Sequence, residues 1–218
     1  MMLTVQHLGK SYGGLRALDD VSFDIKTGEA VGIMGDNGAG KSTLLGCLAG
    51  VIRPDCGTIT LDGTPAPLGQ PAAIRAMGVE TVYQTLALCP HQTVVANLFL
   101  GRELINRWGL IDWATMRAQA QAQLEAMALS VPLDVEVGQL SGGQQQAVAI
   151  ARALLAQPRL IIFDEPTAAL GVRETDTVLE FIKDMHARGI AILMVSHRPG
   201  DLAATTSRVL TMLRGRIA

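Results

Sequence analysis

The sequence predicts an α/β fold built on a mostly parallel core sheet, with an antiparallel β piece at the amino end and an inserted α-helical subdomain. Three observations carry this expectation. Residues 28–49 read as a short apolar strand, a glycine-rich loop and a helix in immediate succession. Residues 86–157 turn alanine-rich, with helical spacing of their apolar side chains. After Pro158 strand and helix patterns alternate again, which argues for parallel strands with helices on both faces. The composition agrees: 49% of the 218 residues are hydrophobic, as strands buried on two faces require. A chain of this length is long enough for one large core, with or without a subdomain.

Taken in order, residues 3–8 and 21–25 alternate apolar and polar, as half-buried strands do, and Gly13-Gly14 turns the chain between them. Pro54-Asp55 and Gly57 punctuate a turn before a strand at residues 58–61, and the Pro- and Gly-rich residues 63–71 read as a loop. A buried strand is expected over 79–83, ending at Gln84. Helical spacing covers 94–100, 113–129 and 141–155, the last with Ala147, Ile150, Ala151 and Leu154 on one face. Strands at 160–163 and 190–195 bracket a helix at 173–188. The expected division is a core of residues 1–85 and 158–218, with residues 86–157 as the helical subdomain. Trp108 and Trp113 fall in that subdomain and are expected to pack within it, a docking contact being the alternative.

The net charge of −2 offers no basic excess for counterion release, so a dedicated nucleic-acid binder is not expected. Cys47, Cys56 and Cys89 lack metal-ligand spacing and read as reduced, packing thiols of a cytosolic protein. Residues 1–10 carry no long apolar core behind a basic start, so no secretory leader is expected. No stretch reaches the roughly 20 apolar residues that span a bilayer, so any membrane role should be peripheral.

Chemistry begins at Gly35-Asp36-Asn37-Gly38-Ala39-Gly40-Lys41-Ser42-Thr43. The three glycines let successive backbone N–H groups face anionic oxygens, and the following helix adds its positive end. Lys41 supplies a charge for the β- and γ-phosphates, and the Ser42 hydroxyl can ligate Mg²⁺. This makes nucleotide binding the expectation. A second motif, Leu160-Ile161-Ile162-Phe163-Asp164-Glu165, is an apolar strand delivering two carboxylates at its carboxyl end, where open α/β sheets bind ligands. Asp164 is placed to hold Mg²⁺, and Glu165 to accept a proton from an attacking water. The third motif, Leu140-Ser141-Gly142-Gly143-Gln144, aims a hydroxyl and free N–H groups at an anion, or is a plain helix cap.

These three motifs, in this order, resemble the ATP-binding subunit of ATP-binding cassette (ABC) transporters, and the resemblance runs from Leu3 to Arg216. It implies a P-loop NTPase (RecA-like) core, ATP and Mg²⁺ as ligands, and ATP hydrolysis. Tyr12 matches the aromatic that stacks on adenine, although a tyrosine near a turn is by itself more often packing. Gln84 matches the glutamine that meets Mg²⁺ and the attacking water and senses the membrane partner, and His197 the histidine that contacts the γ-phosphate. The family implies a head-to-tail homodimer in which Ser141, Gly142, Gly143 and Gln144 of one copy cap the nucleotide of the other.

Two departures stand out. Gly171 occupies the position of an aspartate that usually couples the two sites, and Gln145 stands where many relatives have a basic residue. Residues 82–88, 97–103 and 168–175 are similar to the ATPases of ribose-, xylose- and fructose-type importers, and the single phosphate loop points to their single-cassette members. The implied setting is the cytoplasmic face of the inner membrane, peripheral, with transmembrane permease subunits and, through them, a periplasmic or extracellular sugar-binding protein. Two rivals stay open: another importer cargo, and a soluble cassette protein acting on nucleic acid or ribosomes.

Overall fold

The computed structural model describes residues 2–218. Strands β1 (Leu3–Tyr12) and β2 (Leu15–Ile25) form a hairpin about Gly13-Gly14, and β3 (Ala30–Met34) follows. After the glycine-rich loop come α1 (Lys41–Leu48), β4 (Cys56–Leu61), the two-residue β5 (Thr64–Pro65), α2 (Pro71–Ala76) and β6 (Val79–Val82). Helices α3 (Val94–Leu98), α4 (Trp113–Ala126) and α5 (Gly142–Leu155) occupy the middle. The chain then runs through β7 (Leu160–Asp164), α6 (Val172–Ala187), β8 (Ala191–Val195), α7 (Pro199–Thr205), β9 (Arg208–Leu213) and β10 (Arg216–Ile217).

Two sheets result. The larger has the order β10-β9-β3-β8-β7-β6 and is parallel except where β10 pairs with β9. The smaller, β2-β1-β4-β5, is antiparallel throughout. The expected mostly parallel core sheet with an amino-terminal antiparallel piece is therefore what forms. Register matters for the site. Val82 pairs with Phe163, Phe163 with Met194 and Ile33 with Val195, so four strands finish at one edge.

The unbroken apolar runs of β7 and β8 are explained by burial on two faces. Ile161, Phe163, Ile192 and Met194 point into a cluster with residues of α3, α4, α5 and α6. Leu160, Ile162, Leu193 and Val195 point the other way, into a cluster with α1 and the antiparallel sheet. The period-two alternation of a strand places neighbours in different cores. Helix α6 shows the matching 3.6-residue logic, burying Thr175, Val178, Leu179, Ile182 and Met185 on one side.

Differences from expectation are local. Helices α2 and α7 were not anticipated, because six- and seven-residue segments carry too little periodicity; each begins with a proline at its first position. Helix α4 stops at Ala126, short of residue 129, because Ala128 adopts a positive φ of 53° that ends the helix. The hairpin strands are longer than expected and shift register at three places along β1. Trp108 and Trp113 do not pack inside the helical region: they are 73% and 46% exposed, with the Arg107 guanidinium 4.8 Å from the Trp108 ring centre.

Phe163 is completely buried on β7, between β6 and β8 of the parallel sheet. Phe163→Ala is expected to lower stability by about 3–5 kcal/mol. Urea unfolding should show a lower midpoint at an unchanged slope.

Candidate functional site

Strand β3 delivers the chain to Gly35, where the backbone passes so close to another strand that a Cβ would collide with the Met212 carbonyl oxygen. At Gly40 a Cβ would collide with the Ala17 carbonyl oxygen, and φ there is +105°. Both positions therefore exclude any side chain. Gly38 has open space around it but a φ of +82°, so its requirement is the turn alone. Helix α1 starts at Lys41 with no side-chain cap, which leaves the N–H groups of its first turn for an anion.

Lys41 is largely buried, and its ammonium donates to the Gly35 and Asp36 carbonyl oxygens at 2.6 and 3.0 Å. The charge is thus held directly over the loop. Asp164 ends β7 half-buried, and its carboxyl pKa is raised, first by burial and then by the neighbouring Glu165, with Lys41 opposing. Glu165 follows in a left-handed conformation, φ +51°, and its N–H donates to the Val195 carbonyl at 3.0 Å. Its Oε2 lies 2.6 Å from His197 Nδ1, just beyond the end of β8.

These groups line one open cavity of about 1110 Å³ at the carboxyl edge of the parallel sheet. Of the residues expected at the site, Tyr12, Gly35, Asp36, Asn37, Gly38, Gly40, Lys41, Ser42, Thr43, Gln84, Asp164, Glu165 and His197 line it. Ala39 is buried behind the loop. Ser141, Gly142, Gly143 and Gln144 do not line it; they form the start of α5. There the Ser141 hydroxyl accepts from the Gln144 N–H at 3.3 Å, and the Gln144 side chain accepts from the Ser141 N–H at 3.0 Å. Within the chain it is the cap reading of that motif that forms.

Sequence reasoning missed part of the wall. Leu15, Arg16 and Ala17 of the hairpin and Thr211 to Arg214 around the last turn also line the cavity. Nothing in their residue types signals this; only the meeting of the two sheets brings them there. Tyr12 stands half-exposed at the rim, with Lys10 Nζ 5.6 Å from its ring centre.

A strand, a tightly packed glycine loop, a helix amino terminus and two consecutive carboxylates at the end of a neighbouring strand define a P-loop nucleotide-binding protein. Comparison with known proteins narrows this. Residues 18–168 match the ABC transporter family. The ribose import ATP-binding protein of Chromobacterium violaceum is 44% identical over 99% of this chain, which spans 43% of that relative's length. The fructose import ATP-binding protein of Rhizobium meliloti is 41% identical, with 99% and 86% covered. A dimeric ATP-binding cassette in a post-hydrolysis state with ADP and Pi superposes with a TM-score of 0.85 at 29% identity, covering 99% of this chain and 96% of the other. The chain belongs to the ATP-binding cassettes of the ABC transporter family.

The raised pKa of Asp164 fixes the sign of a pH effect. The folded chain holds that proton more tightly than the unfolded one, so the contribution is present below the ordinary value of 3.8 and is lost as pH rises through the folded-state value. Asp164→Asn is expected to raise the melting temperature of the nucleotide-free chain at neutral pH. Melting curves across pH should show the gain shrinking toward 3.8.

Proposed function

We propose that this chain is the ATP-hydrolysing subunit of an importer of a small sugar, working as a head-to-tail pair on transmembrane permease subunits. The observation that carries the ATPase reading is the single cavity that gathers Lys41, Gln84, Asp164, Glu165 and His197 around a loop that excludes a Cβ at Gly35 and Gly40. The sugar cargo is supported by the relatives, which are named for ribose and fructose import. No described helix is long and apolar enough to cross a membrane, which fits attachment through partners at the cytoplasmic face of the inner membrane.

In this reading the loop amides and Lys41 bind the β- and γ-phosphates, and Tyr12 stacks on adenine. Two of the three Lys41 ammonium donors go to the Gly35 and Asp36 carbonyls, which leaves the third for a phosphate oxygen. Glu165 takes the proton of a water that attacks the γ-phosphorus as the bond to the β–γ bridging oxygen breaks. His197, bonded to Glu165, keeps that carboxylate turned into the cavity and faces the same phosphate. The donor set fits a hard cation: Ser42 offers a hydroxyl, Gln84 an amide oxygen and Asp164 a half-buried carboxylate. Mg²⁺ held there would neutralise charge on the phosphate oxygens.

The Ser141–Gln144 segment lies outside its own chain's cavity, so its phosphate-facing role belongs to a second copy. Residues 86–157 serve as the helical subdomain, the side on which a permease would dock beside Gln84.

Glu165→Gln is expected to retain ATP, lower turnover by about 10²–10⁴-fold and accumulate a closed dimer. ATPase rates and dimer mass in the presence of ATP check this, and full activity would reject the assignment. Lys41→Ala should instead lose nucleotide binding; tight retention of ATP by that variant would count against the loop reading.

A further inference from the structure

We infer that a buried pair, Thr167 and Asp201, positions Glu165 and His197 for hydrolysis; this rests on the ATPase reading above. Glu165 opens the connection between β7 and α6, and His197 sits in the connection between β8 and α7. At the cavity the two touch directly, but His197 is more than half exposed there. Beneath them Thr167, 1% exposed, donates its hydroxyl to the carboxylate of Asp201, 6% exposed, on the first turn of α7. Neither residue lines the cavity, so neither can act on substrate.

Arg198 extends the link. It donates to the Thr167 carbonyl at 3.4 Å and to the Thr175 hydroxyl on α6 at 3.5 Å, and its Nε lies 3.7 Å from the Asp201 carboxylate. Asp201 is a buried charge and needs donors on its oxygens. The Thr167 hydroxyl is one, and its loss leaves only the looser guanidinium contact. Glu165 needs restraint as well. A residue with a side chain holds φ +51° only where its surroundings over-determine it. Its own N–H is held by Val195, and its carbonyl accepts from the Ala168 N–H at 3.2 Å. The first ties the start of the turn to the end of β8, and the second closes the turn on itself. The Thr167–Asp201 bond ties it sideways to the helix that begins two residues after His197.

Thr167→Val removes the donor at nearly constant shape, and Thr167→Ser keeps it. The valine variant should lose about 10–100-fold in kcat at unchanged KM for ATP, since small misplacement of reacting groups costs on this scale. Histidine nitrogen NMR is tractable with four histidines, and the His197 Nδ1 signal should move toward that of a solvent-exposed ring. Serine should restore both readouts. Thr167→Ala is read in the same way if the valine chain does not fold. Parental kcat, an unmoved His197 signal, or kcat and KM failing together would each overturn the inference. A parent chain that hydrolyses no ATP would instead sink the functional reading, while the His197 signal would still report on the pair.

Discussion

The site depends on two backbone carbonyls pressing on the phosphate loop. Met212, on β9 of the parallel sheet, closes off Gly35, and Ala17, on β2 of the antiparallel sheet, closes off Gly40. The loop is wedged where the two sheets meet. Further bonds hold the wedge: Gly215 N–H to the Ala39 carbonyl at 2.9 Å, Asp19 N–H to the Gly215 carbonyl at 2.8 Å, and Arg216 to Asp19. The amino-terminal hairpin and the last strand pair, at opposite ends of the sequence, thus shape one anion-binding turn. That turn needs no induced order to present its amides, which is the physical meaning of preorganisation.

Around this loop the electrostatics are unfinished. Asp164 and Glu165 are consecutive carboxylates, one of them pushed toward its neutral form, and Lys41 is turned back on backbone oxygens. The crowding of the two carboxylates is a cost in the folded chain that a bound cation would relieve. Function here is visible as local dissatisfaction within an otherwise well-satisfied fold. The left-handed Glu165 belongs to the same class, and the buried contacts behind it explain how it persists.

The proposed pairing of two chains rests on where the serine–glycine segment lies. That segment, expected on the nucleotide, lies at the start of α5 and does not line the cavity. Gly143 is packed tightly against Glu174 of α6, where a Cβ would come within 2.7 Å of its Cγ, and a Cβ on Gly171 would come within 2.6 Å of the same residue's carboxylate. The glycine at 171, where the family resemblance implies an aspartate, therefore leaves a space that Glu174 occupies.

By itself the sequence determined the chemistry and the class of fold. The residues 35–43 loop, the apolar strand ending in Asp164-Glu165 and the alternation after Pro158 are local patterns whose meaning is set by backbone and side-chain chemistry over a few residues. Gln84 and His197 became legible only through family resemblance, since a lone glutamine or histidine carries no local signal. The tertiary structure alone decided what depends on distant segments meeting: the walls from Ala17 and Met212, the exposure of Trp108, the helix of residues 199–205 and the Thr167–Asp201 bond. A short helix or a buried hydroxyl is stabilised by partners dozens to hundreds of residues away, and no window of sequence contains both halves of such a contact.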